Sequence, residues 1–397
     1  MGRGVMGPLD GIKVVELAGL GPGPFCAMML SDMGAEVIRV DRAGAVGGDA
    51  QRPPDFVNRR GRPSVAVDLK SPAGVEVVLR LAAGADALIE GFRPGVVERL
   101  GIGPDECLAR NGRLVYGRMT GWGQSGPMSQ VPGHDINYLA LTGLLHAIGP
   151  AGGPPVPPLV LAGDFGGGGM YLAFGLLAGL LEARASGQGQ VVDAAMIDGA
   201  ASLGSLFYGL VQSGQWREER GTNDVDGGAP YYGTYETADG QWVAVGAIEP
   251  KFYAVLVEAL AVEGVDLAAQ TDTSTWPRTR EKFAAAFAAK TRAEWVEALQ
   301  SLETCFSPVL TMTEALEHEQ NRARDLFVAN DGVMQTAPAP RFSRTPGAIR
   351  GPAARYGEQT EAALAAWGFE AGELERLRES GAIVQGEREE NKGEVGL

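Results

Sequence analysis

Residues 12–41, IKVVELAGLGPGPFCAMMLSDMGAEVIRVD, carry the pattern that assigns the fold class. Their apolar runs predict a strand at residues 12–18 and a second strand at residues 36–41, with a helix at residues 24–33 between them. Elements of this kind and length are typical of a right-handed βαβ unit, in which the two strands are parallel. The chain is therefore predicted to be an α/β protein with a parallel sheet covered on both faces.

The alternation of strands and helices continues to about residue 200. Further elements are predicted at residues 72–83 (helix), 87–90 (strand), 113–118 (strand), 164–184 (helix) and 191–193 (strand), followed by an apolar helix from about residue 195. These elements place residues 1–214 in one large domain.

The second half of the chain has a different pattern. Residues 216–228 are polar and charged, and we interpret them as a linker. A hairpin and three helices are predicted after it, at residues 231–236 with 242–246, and at 251–261, 280–290 and 292–299. Residues 215–335 are expected to form a small α+β domain. Residues 336–397, with a helix at 361–379, are expected to return to the large domain and end in a charged tail.

Composition restricts the class of protein. The chain has 397 residues, more than one hydrophobic core usually holds, and its net charge of −15 argues against a nucleic-acid partner. Its three cysteines form no CxxC pair, which argues against a disulfide framework or a thiolate zinc site and favours a cytoplasmic location. The apolar run at residues 170–181 is shorter than the roughly 20 residues of a membrane-spanning helix, so no membrane partner is expected.

The turn after the first strand is rich in glycine. GLGPGP at residues 19–24, with Asp41 at the end of the next strand, partly matches a dinucleotide-binding fingerprint. Pro24 occupies the place of the third glycine, which argues against a nicotinamide cofactor. The turn could still bring backbone N–H groups to another ligand at a helix N-terminus.

A basic cluster stands out against the acidic background. Between residues 39 and 70 there are seven basic and four acidic side chains, the basic ones being Arg39, Arg42, Arg52, Arg59, Arg60, Arg62 and Lys70. Two interpretations remain open: a solvated surface with ordinary ion pairs, or a site for a phosphate-bearing ligand near the carboxyl ends of the parallel strands.

Three residues are candidates for acid–base chemistry. His134 stands at the predicted start of a helix that also carries His146, while His318 lies in a charged run. Asp164 is followed by glycines at positions 166–169, which we interpret as a backbone that must clear a bulky ligand. Glu249 ends a strand just before a helix. A structural role for His134 is the alternative.

The sequence resembles the family III CoA-transferase superfamily. The resemblance is carried by the residues quoted above together with VAVDLKS, IEGFRPGVVERLG, MTGWGQSGP, GHDINYLALTGLLHAIG, LAGDFGGGGMYL, GQVVDAAMIDG, GAPYYGTYETADG and VAVGAIEPKFY. Within that superfamily the chain is similar to the α-methylacyl-CoA racemase branch. The resemblance implies a Rossmann-like large domain, a smaller domain, and two chains interlocked as rings into a homodimer. It also implies an acyl-CoA substrate in fatty acid metabolism, with no metal and no cofactor other than the CoA of the substrate.

The resemblance assigns roles to residues by position. His134 and Asp164 match two catalytic bases, and Glu249 matches an acid that supports the histidine. The backbone N–H of Asp135 is expected to face the substrate oxyanion. The implied CoA contacts are Arg42, Val67, Asp68, Leu69, Lys70, Gly91, Phe92, Arg93, Arg99, Gly133, Ile136, Asn137 and Tyr138.

Two activities are compatible with this resemblance. A racemase would invert the α-carbon of 2-methylacyl-CoA thioesters by 1,1-proton transfer through an enolate. A CoA-transferase would use Asp164 as a nucleophile and move CoA between carboxylic acids through an aspartyl-CoA intermediate. His134 and Asp135 together with Glu249 favour the racemase, because a transferase needs no histidine base at this position.

Overall fold

The computed structural model describes residues 7–48 and 56–387. Arg52 of the basic cluster and the last part of the charged tail lie outside the described residues. The chain divides into two compact units, one formed by residues 1–139, 160–203 and 325–397, the other by residues 140–159 and 204–324.

The strands and helices are numbered in chain order. The strands are β1 Lys13–Leu17, β2 Glu36–Arg42, β3 Ser64–Val67, β4 Ala87–Glu90, β5 Val115–Thr120, β6 Gln190–Ala195, β7 Tyr232–Glu236, β8 Trp242–Gly246, β9 Phe306–Pro308, β10 Phe327–Asn330, β11 Val333–Thr336 and β12 Ile383–Val384. The α-helices are α1 Pro22–Asp32, α2 Pro72–Ala83, α3 Val96–Leu100, α4 Pro104–Arg110, α5 Asp135–Leu141, α6 Leu144–Ala147, α7 Tyr171–Ser186, α8 Met196–Leu203, α9 Ser205–Gln212, α10 Pro250–Ala259, α11 Trp276–Phe287, α12 Arg292–Leu299, α13 Met312–Glu317, α14 Glu319–Ala323, α15 Thr360–Ala366 and α16 Ala371–Glu379. A π-helix, Leu161–Met170, leads directly into α7.

The first unit contains a seven-stranded sheet in the order β12-β3-β2-β1-β4-β5-β6. β1 to β6 are parallel, and β12 pairs antiparallel with β3. The predicted α/β class with a parallel sheet is confirmed. The order of the six parallel strands is that of doubly wound dinucleotide folds, in which ligands bind where the strand order reverses, outside the carboxyl ends of β1 and β4.

Apolar residues cover both faces of this sheet. One face packs around Val15, Ile38 and Leu88, and the other around Val14 and Ile89. Alternate residues of a strand point to opposite faces, and in β1 Val14 belongs to one core while Val15 and Leu17 belong to the other.

The second unit is built on the antiparallel sheet β7-β8-β9. The predicted hairpin is present, with Tyr235 paired to Val243. Its core is aromatic and includes Tyr235, Phe283, Phe287 and Trp295. Residues 216–228, predicted to be a linker, form a tight loop in which the Asp226 carboxylate accepts backbone N–H bonds, including one from Gly221 at 2.8 Å.

The contact-based borders differ from those drawn on the sequence. Residues 140–159 and 204–214 belong to the second unit, and residues 325–335 belong to the first. The domain border near residue 215 was drawn where the sequence becomes polar. In the structure that polar segment is a surface loop within the second unit, and the border between the two units lies elsewhere. The C-terminal segment joins the first unit, where Thr360 Oγ1 accepts the Ala66 N–H at 3.0 Å.

Two helix predictions were wrong because glycines interrupt the helices. Gly143, with φ of 76°, separates α5 from α6, so His134 and His146 are not on one helix. The predicted helix at residues 361–379 is divided into α15 and α16, with Gly368 between them at a φ of 90°. A left-handed φ is accessible to glycine at no steric cost and ends a helix.

One helix among the described residues is long and apolar enough to cross a membrane. It is the continuous run Leu161–Ser186, with a mean hydropathy of 1.3 in its most apolar window. The sequence analysis predicted a helix at residues 164–184, glycines included, but compared only the apolar run at residues 170–181 with the length of a membrane-spanning helix. Since core helices of soluble proteins share these properties and 44% of that window is buried, its length and composition do not assign it to a membrane.

Candidate active site

The glycine-rich turn after β1 lies against the carboxylate of Asp164. Gly21 has a φ of 65°, and a Cβ atom there would stand 3.4 Å from Asp164 Oδ2. The turn therefore allows α1 to begin beside this carboxylate. Asp41, the acid of the partial dinucleotide fingerprint, is buried and accepts a 2.8 Å bond from Arg39 Nε, so it is not available to bind a ribose.

The glycines that follow Asp164 serve helix packing. A Cβ atom on Gly167 would lie 2.6 Å from the Ala200 nitrogen, and one on Gly199 would lie 1.8 Å from the Gly167 oxygen. Gly168 and Gly169 similarly approach Pro22 at the start of α1. The interpretation that this run clears a ligand is wrong for these positions, because the π-helix meets α1 and α8 at backbone distance there.

Hydrogen bonds with Asn137 and Tyr138 fix the turn that carries His134. The His134 N–H donates to Asn137 Oδ1 at 3.0 Å, and its carbonyl accepts the Asn137 N–H at 2.8 Å. The Tyr138 hydroxyl donates to the Gly133 carbonyl at 2.6 Å, and its ring meets Trp122 edge-on with centroids 4.7 Å apart. The imidazole of His134 is itself exposed and free of these contacts.

Asp135, the first residue of α5, connects this turn to the π-helix. Its carboxylate is buried, and Oδ2 accepts the backbone N–H of Gly163 at 2.7 Å and that of Asp164 at 2.8 Å. The residue next to His134 is thereby bonded directly to the backbone of Asp164. The structure brings the three candidates of the first unit, His134, Asp135 and Asp164, into one site.

The Asp164 carboxyl has a perturbed proton affinity. Burial, followed by the negative charge of Asp135, raises its pKa from 3.8 to about 6, and His134 opposes part of that rise. A carboxyl group with such a pKa exchanges a proton readily near neutral pH, as a general acid or base requires.

Most of the implied CoA contacts lie at the carboxyl ends of the parallel strands. Arg42 ends β2, Lys70 follows β3, Gly91 and Arg93 follow β4, and Arg99 is on α3; all five are exposed. Asp68, Leu69 and Phe92 in the same loops, and Gly133, are half-buried, and Ile136 and Asn137 on α5 are exposed.

Two residues of that set point into the protein. Val67 is 1% exposed within the core, and Tyr138 is buried with its hydroxyl on Gly133. Their side chains are therefore not available to a ligand at these positions. The Tyr138 side chain instead shapes the turn that presents His134.

Much of the basic cluster is structural. Arg39, Arg60 and Arg62 are buried, and their partners are Asp41 at 2.8 Å, Asp32 at 2.6 Å and Glu16 at 3.4 Å. Arg59 is also buried, over the Tyr356 ring. Among the basic residues of this cluster that the structure describes, Arg42 and Lys70 are exposed. The interpretation as a site for a phosphate-bearing ligand therefore applies only to these two.

The sequence analysis missed an ion-pair network that supports the loop after β4. Arg118 Nε bonds Glu90 at 2.8 Å, its Nη1 bonds Glu98 at 2.7 Å, and the second oxygen of Glu90 accepts the Phe92 N–H at 2.7 Å. A signal was present, because Glu90 at the end of β4 and Arg118 within β5 are charged residues in largely apolar strands.

The remaining candidates lie in the second unit. Glu249 is exposed at the N-cap of α10, at the predicted junction of strand and helix. His146 is in polar contact on both sides of its ring, since its Nε2 lies 3.1 Å from the Glu218 carbonyl oxygen and its Nδ1 3.1 Å from Arg220 Nη2. His318 lines a cavity of about 740 Å³ with Arg292 and Phe306.

Among residues 7–48 and 56–387, no cluster of three or more His, Cys, Asp or Glu side chains could hold a metal ion.

Most of the chain matches one protein family. The model of CoA-transferase family III matches residues 9–360. The chain belongs to CoA-transferase family III. Members of this family include both racemases and transferases, and this chain is similar to both kinds.

Among these relatives, Alpha-methylacyl-CoA racemase of Mus musculus is 47% identical over 384 residues, which covers 96% of this chain and 98% of that protein. Its Homo sapiens counterpart is 44% identical over 373 residues, covering 93% and 96%. Succinyl-CoA:glutarate CoA-transferase of Mus musculus is 30% identical over 368 residues, covering 88% and 81%.

Solved structures of the family share the fold. A Mycobacterium tuberculosis protein superposes with a TM-score of 0.74 at 28% identity, covering 90% of this chain and 99% of that chain. A CAIB/BAIF family protein from Brucella suis superposes with a TM-score of 0.77 over 91% and 100% of the two chains, and its 22% identity shows the fold alone.

Proposed function

We propose that this chain is a racemase that inverts the α-carbon of 2-methylacyl-CoA thioesters by 1,1-proton transfer. The sequence identities of 47% and 44% to two racemases, against 30% to a CoA-transferase, favour this activity within the family. The observation that carries the mechanism is the Asp135 carboxylate, which binds the backbone of Asp164 while it is adjacent in the chain to His134.

The chemistry needs two groups that exchange protons with one carbon. The hydrogen α to a thioester carbonyl is acidic because its removal gives a delocalised enolate. His134 acts on one face of that carbon and Asp164 on the other. Whichever group is unprotonated takes the α-hydrogen, and the other returns a proton to the opposite face, so the configuration inverts.

The enolate oxygen needs hydrogen-bond donors where its charge develops. The backbone N–H of Asp135, in the first turn of α5, is the proposed donor. One such donor contributes about 3–4 kcal/mol in acyl chemistry. The family resemblance assigns Glu249 to the support of His134, and we propose that it stabilises the charged form of the imidazole.

Exposed residues at the carboxyl ends of the strands are proposed to bind the CoA moiety. Arg42, Lys70, Arg93 and Arg99 carry the positive charge that its phosphates require. The CoA belongs to the substrate, and we propose that the enzyme uses no further cofactor and no metal.

We also propose that the enzyme is an interlocked homodimer in the cytoplasm, acting in fatty acid metabolism. Met170, at the end of the π-helix, and Phe174, Leu177 and Leu181 of α7 form an apolar face, with Phe174 73% and Leu181 69% exposed. A second copy of the chain would cover such a face. The three free cysteines suit a reducing compartment.

Proton exchange with solvent tests this function. In deuterated buffer, each epimer of a 2-methylacyl-CoA should gain deuterium at the α-carbon as it converts into the other. Inversion without deuterium uptake would contradict the mechanism. Transfer of CoA to an added carboxylic acid, without inversion, would establish the transferase activity instead.

A further inference from the structure

We propose that the Asp135 side chain is a positioning residue that keeps the two proton-transfer groups in register. It fixes one group through the chain, as the neighbour of His134, and the other through hydrogen bonds to the backbone of Asp164. This inference rests on the proposed racemase function. It assigns to the Asp135 carboxylate a role separate from that of its backbone N–H.

The geometry shows that the contact is built into both segments. One oxygen, Oδ2, accepts N–H bonds from two successive residues, Gly163 and Asp164, at 2.7 and 2.8 Å. Hydrogen bonds to a charged acceptor are about twice as strong as neutral ones. A Cβ atom on Gly163 would lie 2.6 Å from the same oxygen, so residue 163 must be glycine while Asp135 holds this position.

The charge of Asp135 has few opposing groups. Oδ1 is buried and has no hydrogen-bond partner within the described residues, and the side chain is 3% exposed. The titratable groups that act on Asp164 are Asp135, which raises its pKa, and His134, which lowers it. Tyr138 packs nearby, and burial with the charges of Asp164 and Asp135 raises its pKa to about 12, so it stays neutral.

Loss of the charge and loss of the hydrogen bonds are separable by substitution. Asp135→Asn keeps an acceptor oxygen but removes the negative charge, whereas Asp135→Ala removes both. The matched control is Asp86→Asn, because Asp86 Oδ2 also accepts a backbone N–H, from Lys13 at 2.8 Å, at the amino end of the sheet. For each variant the measurements are the melting temperature and the pH profiles of kcat and kcat/KM for epimerisation of a 2-methylacyl-CoA.

The Asn variant tests the electrostatic part. Without the charge of Asp135, the acid limb of the kcat/KM profile should move to lower pH by about 0.5–1 unit. The melting temperature should remain near that of the wild type, because the two N–H groups retain an acceptor and the loss of the repulsion between Asp135 and Asp164 offsets the weaker bonds. The control should leave the limb where it is in the wild type.

The Ala variant tests the positioning part. With the backbone of Asp164 released, kcat should fall about 100-fold while KM changes by less than about 3-fold, because alignment rather than binding is lost. If this variant does not fold, the limb of the Asn variant decides the matter.

The outcomes distinguish the inference from the function on which it rests. A wild-type protein that racemises, combined with an unmoved acid limb in Asp135→Asn and a wild-type kcat in a folded Asp135→Ala variant, would overturn the role of Asp135 and leave the racemase function intact. A wild-type protein that does not epimerise any 2-methylacyl-CoA would overturn the proposed function, and this role with it.

Discussion

The Asp135 Oδ2 atom lies 2.8 Å from the backbone nitrogen of Asp164, 29 residues further along the chain. The bond joins the first turn of α5 to the π-helix, and both segments belong to the first unit. It follows that the spacing of His134 and Asp164 depends on packing within this unit. Changes to the charge, the hydrogen bonds or the helix packing around the bond should therefore alter catalysis in distinct ways.

The acid limb of activity should reflect the ionisation of Asp164. Burial and Asp135 raise the pKa of Asp164 to about 6, so the group is protonated below that pH and cannot accept the α-proton. We expect kcat/KM for epimerisation to fall about tenfold per pH unit below about pH 6, as loss of one required base predicts. Rates measured between pH 4.5 and 8 check this. A limb near pH 4, the ordinary range of an aspartate, would show that the carboxyl group is unperturbed.

Asp164→Asn should stabilise the fold while it inactivates the enzyme. A raised carboxyl pKa means that ionisation opposes folding, with the full penalty above pH 6 and none below the ordinary value of 3.8. Because solvent screens this half-buried group, we expect a gain of only on the order of 1 kcal/mol at pH 8, which disappears toward pH 4. Urea unfolding at both pH values measures it.

Asp239→Asn provides a control of opposite sign. A hydrogen bond from Thr237 lowers the pKa of Asp239, so ionisation of this exposed group favours the folded state. Its replacement should reduce stability at neutral pH and have no effect at low pH. If Asp164→Asn also lost stability at pH 8, the assigned direction of its pKa shift would be wrong.

Arg118→Met should weaken CoA binding more than it slows the chemistry. It leaves the buried Glu90 without its cation, which should cost about 3–5 kcal/mol of unfolding free energy. Because Glu90 also holds the loop of Phe92 and Arg93, KM for the acyl-CoA should rise about tenfold, or ~1.4 kcal/mol, with kcat largely retained.

An exposed pair provides the comparison for Arg118. Arg110 bonds Glu76 at 2.8 Å on the surface, and Arg110→Met should change neither KM nor stability appreciably. An Arg118 variant with a wild-type KM would show that the ion pairs of Arg118 do not support CoA binding by the loop of Phe92 and Arg93.

Gly199→Ala should disrupt the packing that places Asp164. Its Cβ atom would stand 1.8 Å from the Gly167 oxygen, so α8 and the π-helix would have to separate. We expect a loss of at least ~2 kcal/mol in unfolding free energy, together with loss of activity. Gly209→Ala on α9 is the control, since its Cβ meets nothing within 4 Å and alanine should stabilise that helix by about 0.5–1 kcal/mol. Equal stabilities of the two variants would contradict this explanation of the glycine run.

The sequence predicted those parts of the fold that have strong local signals. β1, α1 and β2 were predicted because long apolar strands flank a helix-length segment. β12 was not predicted, since two residues are too short to show a period, and β3 was not predicted although it is as long as β4. The glycines at positions 166–169 were misinterpreted for a related reason: close backbone packing and ligand clearance require the same residue type, and only the neighbouring helix distinguishes them.

The candidate site was predicted by residue type but not by arrangement. Scarcity of histidine and the resemblance to the family identified His134 and Asp164. The contact between the Asp135 carboxylate and the backbone of Asp164 has no local signal, because it depends on how two distant segments pack. The burial of three arginines was also missed, because a composition count does not distinguish an arginine in a core ion pair from one that faces a ligand. These residues are Arg39, Arg60 and Arg62.

The most direct test of two opposed bases is α-proton exchange of each epimer, measured separately in deuterated buffer with Asp164→Asn and His134→Gln. Each variant should retain exchange with one epimer only, without inversion, and the two variants should retain opposite epimers. If both variants exchange the same epimer, the two groups do not act on opposite faces of one carbon, and the proposed mechanism is wrong.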